Sequence, residues 1–479
     1  MSRPPGDLSQ ADLRSRKWTR WDTFAAAAVT LAGGLLRLAR IRAPGDLVFD
    51  EFYAQDACWY LYHSPSLCHT RGEITAVHPP LGKWLMATGI KVFGFSPGGW
   101  RIASVVAGTL TIAAVYLLGR RLLGSTMAAT VASGLMVFDF LHFVMSRTAM
   151  LDVFVTMFLV LAFLFAVLDR DRILAPSGTE RAPPVRGCRW RYAAGLAVGA
   201  AAACKWSAWP FLALLLGLTL AWETQRRRSL PTGHARRAIQ EEWSSLLLAF
   251  VVIPLLVYAA SFAGTLDGTL AAWPWQEGSW VHAFITRQAE MLKFHLPLTG
   301  QHPYASPAWS WPLVKRPVLF FFRDVEGGGF QVTLAIGNPL VWWPSIVAIG
   351  YLAVQWLKSR RFTGPEVVIV SGFVFAYVPW LLLGERKQEF LYYLLPGILF
   401  MCLALAHAVF QFFRGRRRAI ALGALAVSVV GSFAYFYPVL TAVPLSRPAW
   451  EARLLFRDCS RDPVHPQTAG PPPSGWCWA

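Results

Sequence analysis

The chain has 479 residues, of which 55% are hydrophobic and 15% charged, with a mean hydropathy of +0.41. A soluble domain carries about 25% charged residues, so this composition excludes a purely water-soluble globule and requires a bilayer as part of the solvent. The net charge of +18 does not point to nucleic acid, because the basic residues form short clusters between apolar stretches and no basic stripe interleaves aromatics in a soluble segment.

A membrane span takes about 20 mostly apolar residues. In chain order the hydropathy predicts eleven: 23–43, 100–119, 126–144, 150–168, 191–206, 207–223, 244–262, 339–357, 366–384, 390–412 and 419–438. Lys205-Trp206 interrupts the apolar stretch that forms the fifth and sixth. No signal-peptide cleavage pattern follows the first span, which is therefore read as retained. With residues 1–22 placed in the cytoplasm, the six inside segments carry 25 Lys and Arg, and the short outside loops 145–149 and 385–389 carry 1 and 2. This bias fits the positive-inside rule and puts the C-terminal tail, 439–479, outside. The expected organisation is a cytoplasmic segment 1–22, a helical membrane domain 23–438 and an external, partly disordered tail.

Two outer loops are long, and loops of that length are usually functional. The first, 44–99, holds Asp50-Glu51 and the run His78-Pro79-Pro80-Leu81-Gly82-Lys83-Trp84; the second, 263–338, is rich in Trp, Pro and Gly. Segments Tyr53–Tyr62 and Trp280–Phe294 read as amphipathic helices lying along the outer surface. The seven cysteines show no CxxC and no metal-ligand spacing. Cys204 and Cys402 lie in apolar runs and read as packing residues. Cys58 with Cys68, and Cys459 with Cys477, each share an outer segment; bonding of either pair requires an oxidising compartment.

Ionisable residues at span ends default to a functional reading. Arg37, Arg40, Arg42, Arg101 and Lys205 all fall toward the expected outer side, as do Asp50, Glu51, Arg147 and Asp152. A carboxylate at an apolar boundary can act as a general base, and Arg or Lys at headgroup depth can hold a phosphate. Against this, Arg40 and Arg42 fit simple snorkelling, and Asp50-Glu51 fits an ordinary acidic loop equally well on chemistry alone.

An ordered series of motifs decides between these readings. Val48-Phe49-Asp50-Glu51-Phe52-Tyr53-Ala54-Gln55-Asp56-Ala57 is followed by His78–Lys83, Trp100-Arg101, Ser146-Arg147 with Leu151-Asp152, and Lys205-Trp206. Then come His302-Pro303-Tyr304-Ala305-Ser306, Trp309-Ser310-Trp311-Pro312-Leu313, Gly337-Asn338-Pro339 with Trp342-Trp343, and Phe390-Leu391-Tyr392-Tyr393-Leu394-Leu395-Pro396. From about residue 30 to 445 this series resembles the protein O-mannosyltransferase family in its compact bacterial form. The second outer loop, at 76 residues, is too short to hold the β-trefoil domain of eukaryotic members.

The resemblance implies an all-α polytopic membrane protein of the C-type glycosyltransferase fold. It implies transfer of mannose from a polyprenyl-phosphate-mannose co-substrate to Ser or Thr hydroxyls of secreted proteins at the outer face of a cell membrane. The transfer is expected to be direct and inverting, without metal or other cofactor, and the secretion translocon is an expected partner. Asp50 is the expected general base, and Glu51 orients the acceptor or an arginine. Arg101, Lys205 and Arg37 are expected at the donor phosphate. His78, Lys83, Arg147, Asp152, His302, Trp309 and Arg386 are weaker positioning candidates. Each of these has a plainer reading: a turn at His78, headgroup contact at Lys83, an Arg147–Asp152 ion pair, loop packing at His302 and Trp309, and a different register at Arg386. Two alternatives remain: a same-fold enzyme moving another sugar to a lipid or glycan, and a lipid or solute transporter. The transporter predicts charges through the middle of spans and internal repeat symmetry.

Overall fold

The computed structural model describes residues 17–175, 188–227, 234–262, 280–296, 302, 304–326, 328–383 and 388–455. Arg386 and the Cys459/Cys477 pair lie outside the described residues. The first helix, α1 (Arg20–Leu38), starts at a capping box: Thr19 accepts from the Asp22 amide, and the Asp22 carboxylate accepts from the Thr19 amide. The first long segment then folds into α2 (Phe52–Tyr62), α3 (Pro65–Cys68) and α4 (Leu81–Phe93). The long helix α5 (Pro97–Leu123) has Ser96 as its N-cap, Pro97 in its first turn and left-handed Gly124 as its stop, the start and stop signals a free-standing helix needs.

Next come α6 (Thr126–Val137), α7 (Phe140–Met145), α8 (Leu151–Ile173), α9 (Arg189–Ala202) and α10 (Trp209–Arg226). The pair α11 (His234–Leu247) and α12 (Ile253–Ser261) is joined by the π-helical turn Leu248–Val252. Beyond them lie α13 (Trp280–His295), β1 (Val318–Val325), β2 (Gly329–Ala335), α14 (Pro339–Ser359), α15 (Pro365–Leu382), α16 (Leu395–Phe412), α17 (Gly415–Leu440), β3 (Leu445–Ser446) and α18 (Arg447–Glu451).

Every one of the eleven expected spans falls on a helix. Among the described residues, seven helices are long and apolar enough to cross a membrane: α5, α8, the α11–α12 rod, α14, α15, the segment that contains α16, and α17. The other four positions carry α1, the broken α6–α7 pair, α9 and α10. The core is formed by α8 and α16, with 78% and 72% of their apolar windows buried, whereas α17 buries only 17%. Small residues let helices meet closely: a Cβ at Gly195 on α9 would stand 1.8 Å from the Ala249 carbonyl oxygen. The break between α6 and α7 is fixed by Asp139, which caps α7 through the His142 amide (2.9 Å) and accepts the Trp342 indole N–H from α14 (2.7 Å). Where α8 to α11 meet, buried Arg191 pairs with Asp169 (3.0 Å), Glu223 (2.5 Å) and Glu242 (2.9 Å).

Three features depart from the sequence expectation. The segment 52–62 does not lie on the surface: Tyr53 through Cys58 and Tyr60 are buried. A Cys58–Cys68 disulfide and the Gln55 amide, which donates to the carbonyls of Cys68 (3.3 Å) and His69 (2.9 Å), hold it inside. Secondly, α4 was not expected. Thirdly, an antiparallel β1–β2 hairpin, with an irregularity between Leu319 and Phe321, forms a three-stranded sheet with β3 beside the helices.

Candidate active site

The acidic pair sits in a tight turn, Val48–Glu51, closed by the Glu51 amide on the Val48 carbonyl (2.9 Å). Its second residue, Phe49, has φ +46°, a region that bulky side chains rarely enter. The turn sends the two carboxylates into different surroundings. Glu51 is fully buried, and both its oxygens take the Arg101 guanidinium at 2.7 Å. It also accepts the amides of Val48 (3.0 Å) and Ala149 (2.9 Å). Half-buried Asp50 instead lines a cavity of about 410 Å³, where the Tyr392 hydroxyl lies 3.4 Å from its carboxylate.

The cavity is lined by two kinds of side chain. The apolar ones include Phe211 of α10, Phe375, Pro379 and Trp380 of α15, and Phe294 of α13. The polar ones are Asp50, Tyr53, Thr75, His78, Lys205, His295, His302, Gln388 and Tyr393, with Ser207. Lys205 stands in the break between α9 and α10, paired with Asp152 at 2.9 Å, with its ammonium 4.6 Å from the Tyr393 ring centre. Burial pushes the Asp50 carboxyl up to about 6; Asp152 adds to this, while Lys205 and the Tyr392 hydroxyl oppose it. The His302 imidazole is held below its ordinary value by burial, and its Nδ1 faces the Tyr304 amide at 3.2 Å.

The structure therefore brings Asp50, Lys205, Asp152, His78 and His302 to or beside one cavity, and places other expected site residues elsewhere. Arg101 does not reach the cavity: besides Glu51 it donates to the carbonyls of Pro44 (2.6 Å), Asp46 (2.9 Å) and Ile41 (3.2 Å), which occupies the whole guanidinium fork. Arg37 is likewise buried, on the carbonyls of Gly33 (3.1 Å) and Met136 (3.3 Å) and on His142 Nδ1 (2.8 Å). The Arg147–Asp152 ion pair is not formed, because Arg147 donates to the carbonyls of Arg37, Ala39 and Arg40 at the end of α1, and Asp152 takes Lys205. Lys83 is buried between Glu73 (2.6 Å) and Asp56 (3.1 Å). There it fixes the segment that carries Thr75 and His78. Trp309 is 55% exposed, under the Lys315 ammonium, and lies off the cavity lining.

Sequence reasoning gave no role to Tyr392, Tyr393, Gln388 or His295. The two tyrosines lay inside a quoted motif. His295 had no signal: it ends α13, its Nε2–H donates to the Val77 carbonyl (2.9 Å), and its ring faces the His78 ring at 5.2 Å. Arg287 of the same helix pairs with Glu73 at 3.1 Å, so α13 is tied to the segment bearing His78. Among the described residues no group of three His, Cys, Asp or Glu side chains is arranged to hold a metal ion.

Comparison with known proteins agrees with this architecture. The family profile "Dolichyl-phosphate-mannose-protein mannosyltransferase" matches residues 98–266, and "C-terminal four TMM region of protein-O-mannosyltransferase" matches residues 280–458. A polyprenol-phosphate-mannose–protein mannosyltransferase of Mycobacterium tuberculosis is 30% identical, covering 94% of this chain and 93% of that protein. One of Mycolicibacterium smegmatis is 28% identical, covering 94% of each. In structure, a chain of the Saccharomyces cerevisiae protein O-mannosyltransferase complex bound to the sugar donor superposes with a TM-score of 0.74 at 15% identity, over 93% of this chain and 94% of that one. ArnT of Cupriavidus metallidurans bound to undecaprenyl phosphate gives 0.53 at 16% identity, over 87% of this chain and 65% of that one. The fold is thus the C-type glycosyltransferase fold, and the chain belongs to the protein O-mannosyltransferase family.

Proposed function

We propose that this chain transfers mannose from polyprenyl-phosphate mannose to Ser or Thr hydroxyls of proteins, at the outer face of the membrane, by direct inverting displacement. The observation that carries the reading is Asp50: a carboxylate facing a cavity lined by both apolar and polar side chains, Lys205 among them. The apolar lining suits a prenyl chain, and the Lys205 ammonium suits the phosphate to which the sugar is joined. In the step, the acceptor oxygen bonds to the anomeric carbon as the bond to the phosphate oxygen breaks. Asp50 takes the hydroxyl proton, and the polyprenyl phosphate leaves with the electron pair. An ordinary Asp is a weak base at neutral pH; its elevation to about 6 makes it a stronger one while leaving it mostly ionised at pH 7. Lys205 meets the charge that grows on the leaving phosphate. With Arg101 and Arg37 withdrawn into the core, Lys205 is the phosphate contact of the three expected.

The Cys58–Cys68 bond and the Lys/Arg bias of the loops support the outward orientation, since disulfides persist in oxidising compartments. The test is incubation of membranes containing the protein with radiolabelled polyprenyl-phosphate mannose and a Ser/Thr-rich peptide. Label on the peptide, of opposite anomeric configuration to the donor, is the expected result. Intact donor with unlabelled peptide rejects the reading, and label passing to a lipid or glycan instead favours the other-sugar-acceptor alternative.

A further inference from the structure

The turn that presents Asp50 uses the wrong residue type for its backbone. A positive φ at the second position of a tight turn is normally carried by glycine, because a side chain there crowds the backbone. Here it is carried by Phe49 at φ +46°. Such a conformation persists only where the surroundings impose it, and the Phe49 ring is indeed held. It stacks on Phe320 of β1 with ring centres 4.8 Å apart and planes 12° apart. Phe390 and Tyr392 meet it edge-on at 5.7 and 5.9 Å, and His302 does so at 5.9 Å. These rings come from three separate parts of the chain, and one of them, Tyr392, also reaches the Asp50 carboxylate.

We infer that Phe49 is a positioning residue for Asp50: its ring, locked in the aromatic cluster, fixes the turn so that the carboxylate stands in the cavity while Glu51 turns into the core. Glycine at this position would allow the same turn and many others. Phenylalanine accepts an unfavourable backbone angle in exchange for a fixed side chain, which a base that must meet a substrate hydroxyl requires. The ring also joins the sheet and the 390–393 segment to the acidic turn, so the second long loop contributes to the site through Phe320 and His302.

This inference rests on the mannosyl-transfer reading, and the experiment separates the two. Peptide mannosylation is measured with wild type, Asp50→Asn, Phe49→Gly and Phe49→Tyr, together with donor binding and thermal unfolding in detergent. Wild-type turnover that Asp50→Asn abolishes tests the reading of the site. Phe49→Gly keeps the turn accessible but removes the ring; its kcat is expected to fall about 10- to 100-fold, as misplacement of a reacting group does, with donor KM within about threefold. Phe49→Tyr, which restores a ring, is expected to recover kcat to within about threefold of wild type. The inference is overturned if Phe49→Gly turns over within threefold of wild type, if its loss lies in donor KM, or if Phe49→Tyr is as impaired as Phe49→Gly while both proteins melt like wild type.

Discussion

Asp50 and Glu51 are neighbours in the chain and opposites in the fold. Away from the cavity lie buried charges held by several protein partners, saturated at the Glu51–Arg101 pair: Glu51 takes Arg101 and two amides, Arg37 meets carbonyls and His142, Arg147 meets carbonyls, and Lys83 lies between two acids. At the cavity lies a sparser region, where Asp50 faces a Tyr392 hydroxyl and open volume, and Lys205 faces one acid and two aromatic rings. The contrast teaches that a charge fully matched by the protein holds shape, while a charge only partly matched has capacity left for a substrate.

The largest expected effect falls on the sparse side. Asp50→Asn should lower kcat by about 10²- to 10⁴-fold, the range for removal of a positioned base, with donor binding kept and thermal stability undiminished. The stability sign follows from the raised pKa: an ionised Asp50 costs folding free energy above about pH 6, and the amide removes that cost. A kcat within threefold of wild type removes Asp50 from its role.

On the saturated side the expected loss is in folding. Glu51→Ala or Arg101→Ala leaves its buried partner without its counter-charge and should cost about 3–5 kcal/mol, read as a large drop in melting temperature or in folded yield. A variant at Arg101 that melts like wild type but binds donor weakly breaks the comparison and returns Arg101 to the phosphate.

Lys205→Met comes next. Loss of a charge-assisted contact should weaken donor binding by about 10- to 100-fold, from roughly 1.5–3 kcal/mol, and unchanged affinity assigns Lys205 to Asp152 alone. The smallest effect is the pH profile. The kcat/KM of wild type should be full at neutral pH and fall through about pH 6 as Asp50 takes a proton. Because Lys205 opposes the elevation of Asp50, Lys205→Met should move that limb to higher pH; a limb that stays in place or moves down shows that the two groups do not share a field.

Much of the fold was legible because hydropathy writes spans directly into the sequence: all eleven apolar runs became helices, and the Lys205-Trp206 interruption became the break between α9 and α10. The β1–β2 hairpin was not legible, since the short apolar run at 318–322 sits in a loop otherwise dominated by Trp, Pro and Gly. Nor was the burial of α2, which depends on a disulfide and on polar side chains satisfied within the protein. At the site, a motif singled out Asp50. Sequence could not apportion the arginines, because it shows charge without showing partners: Arg101 meets Glu51 from 50 residues away and Lys205 meets Asp152 from 53. The tyrosines at 392 and 393 were visible as part of a pattern, but nothing in the pattern said that one would touch a carboxylate 342 residues earlier.

The Arg191 junction among α8 to α11 has a consequence for how the chain is made. Synthesis runs from the N-terminus, and two of the three carboxylates that Arg191 meets lie 32 and 51 residues downstream. Until those are made, the junction lacks two of its three ion pairs. Once Glu223 and Glu242 arrive, the same guanidinium becomes a fastening between helices. A single arginine thus acts as mortar among four helices, set only when the last of them is in place.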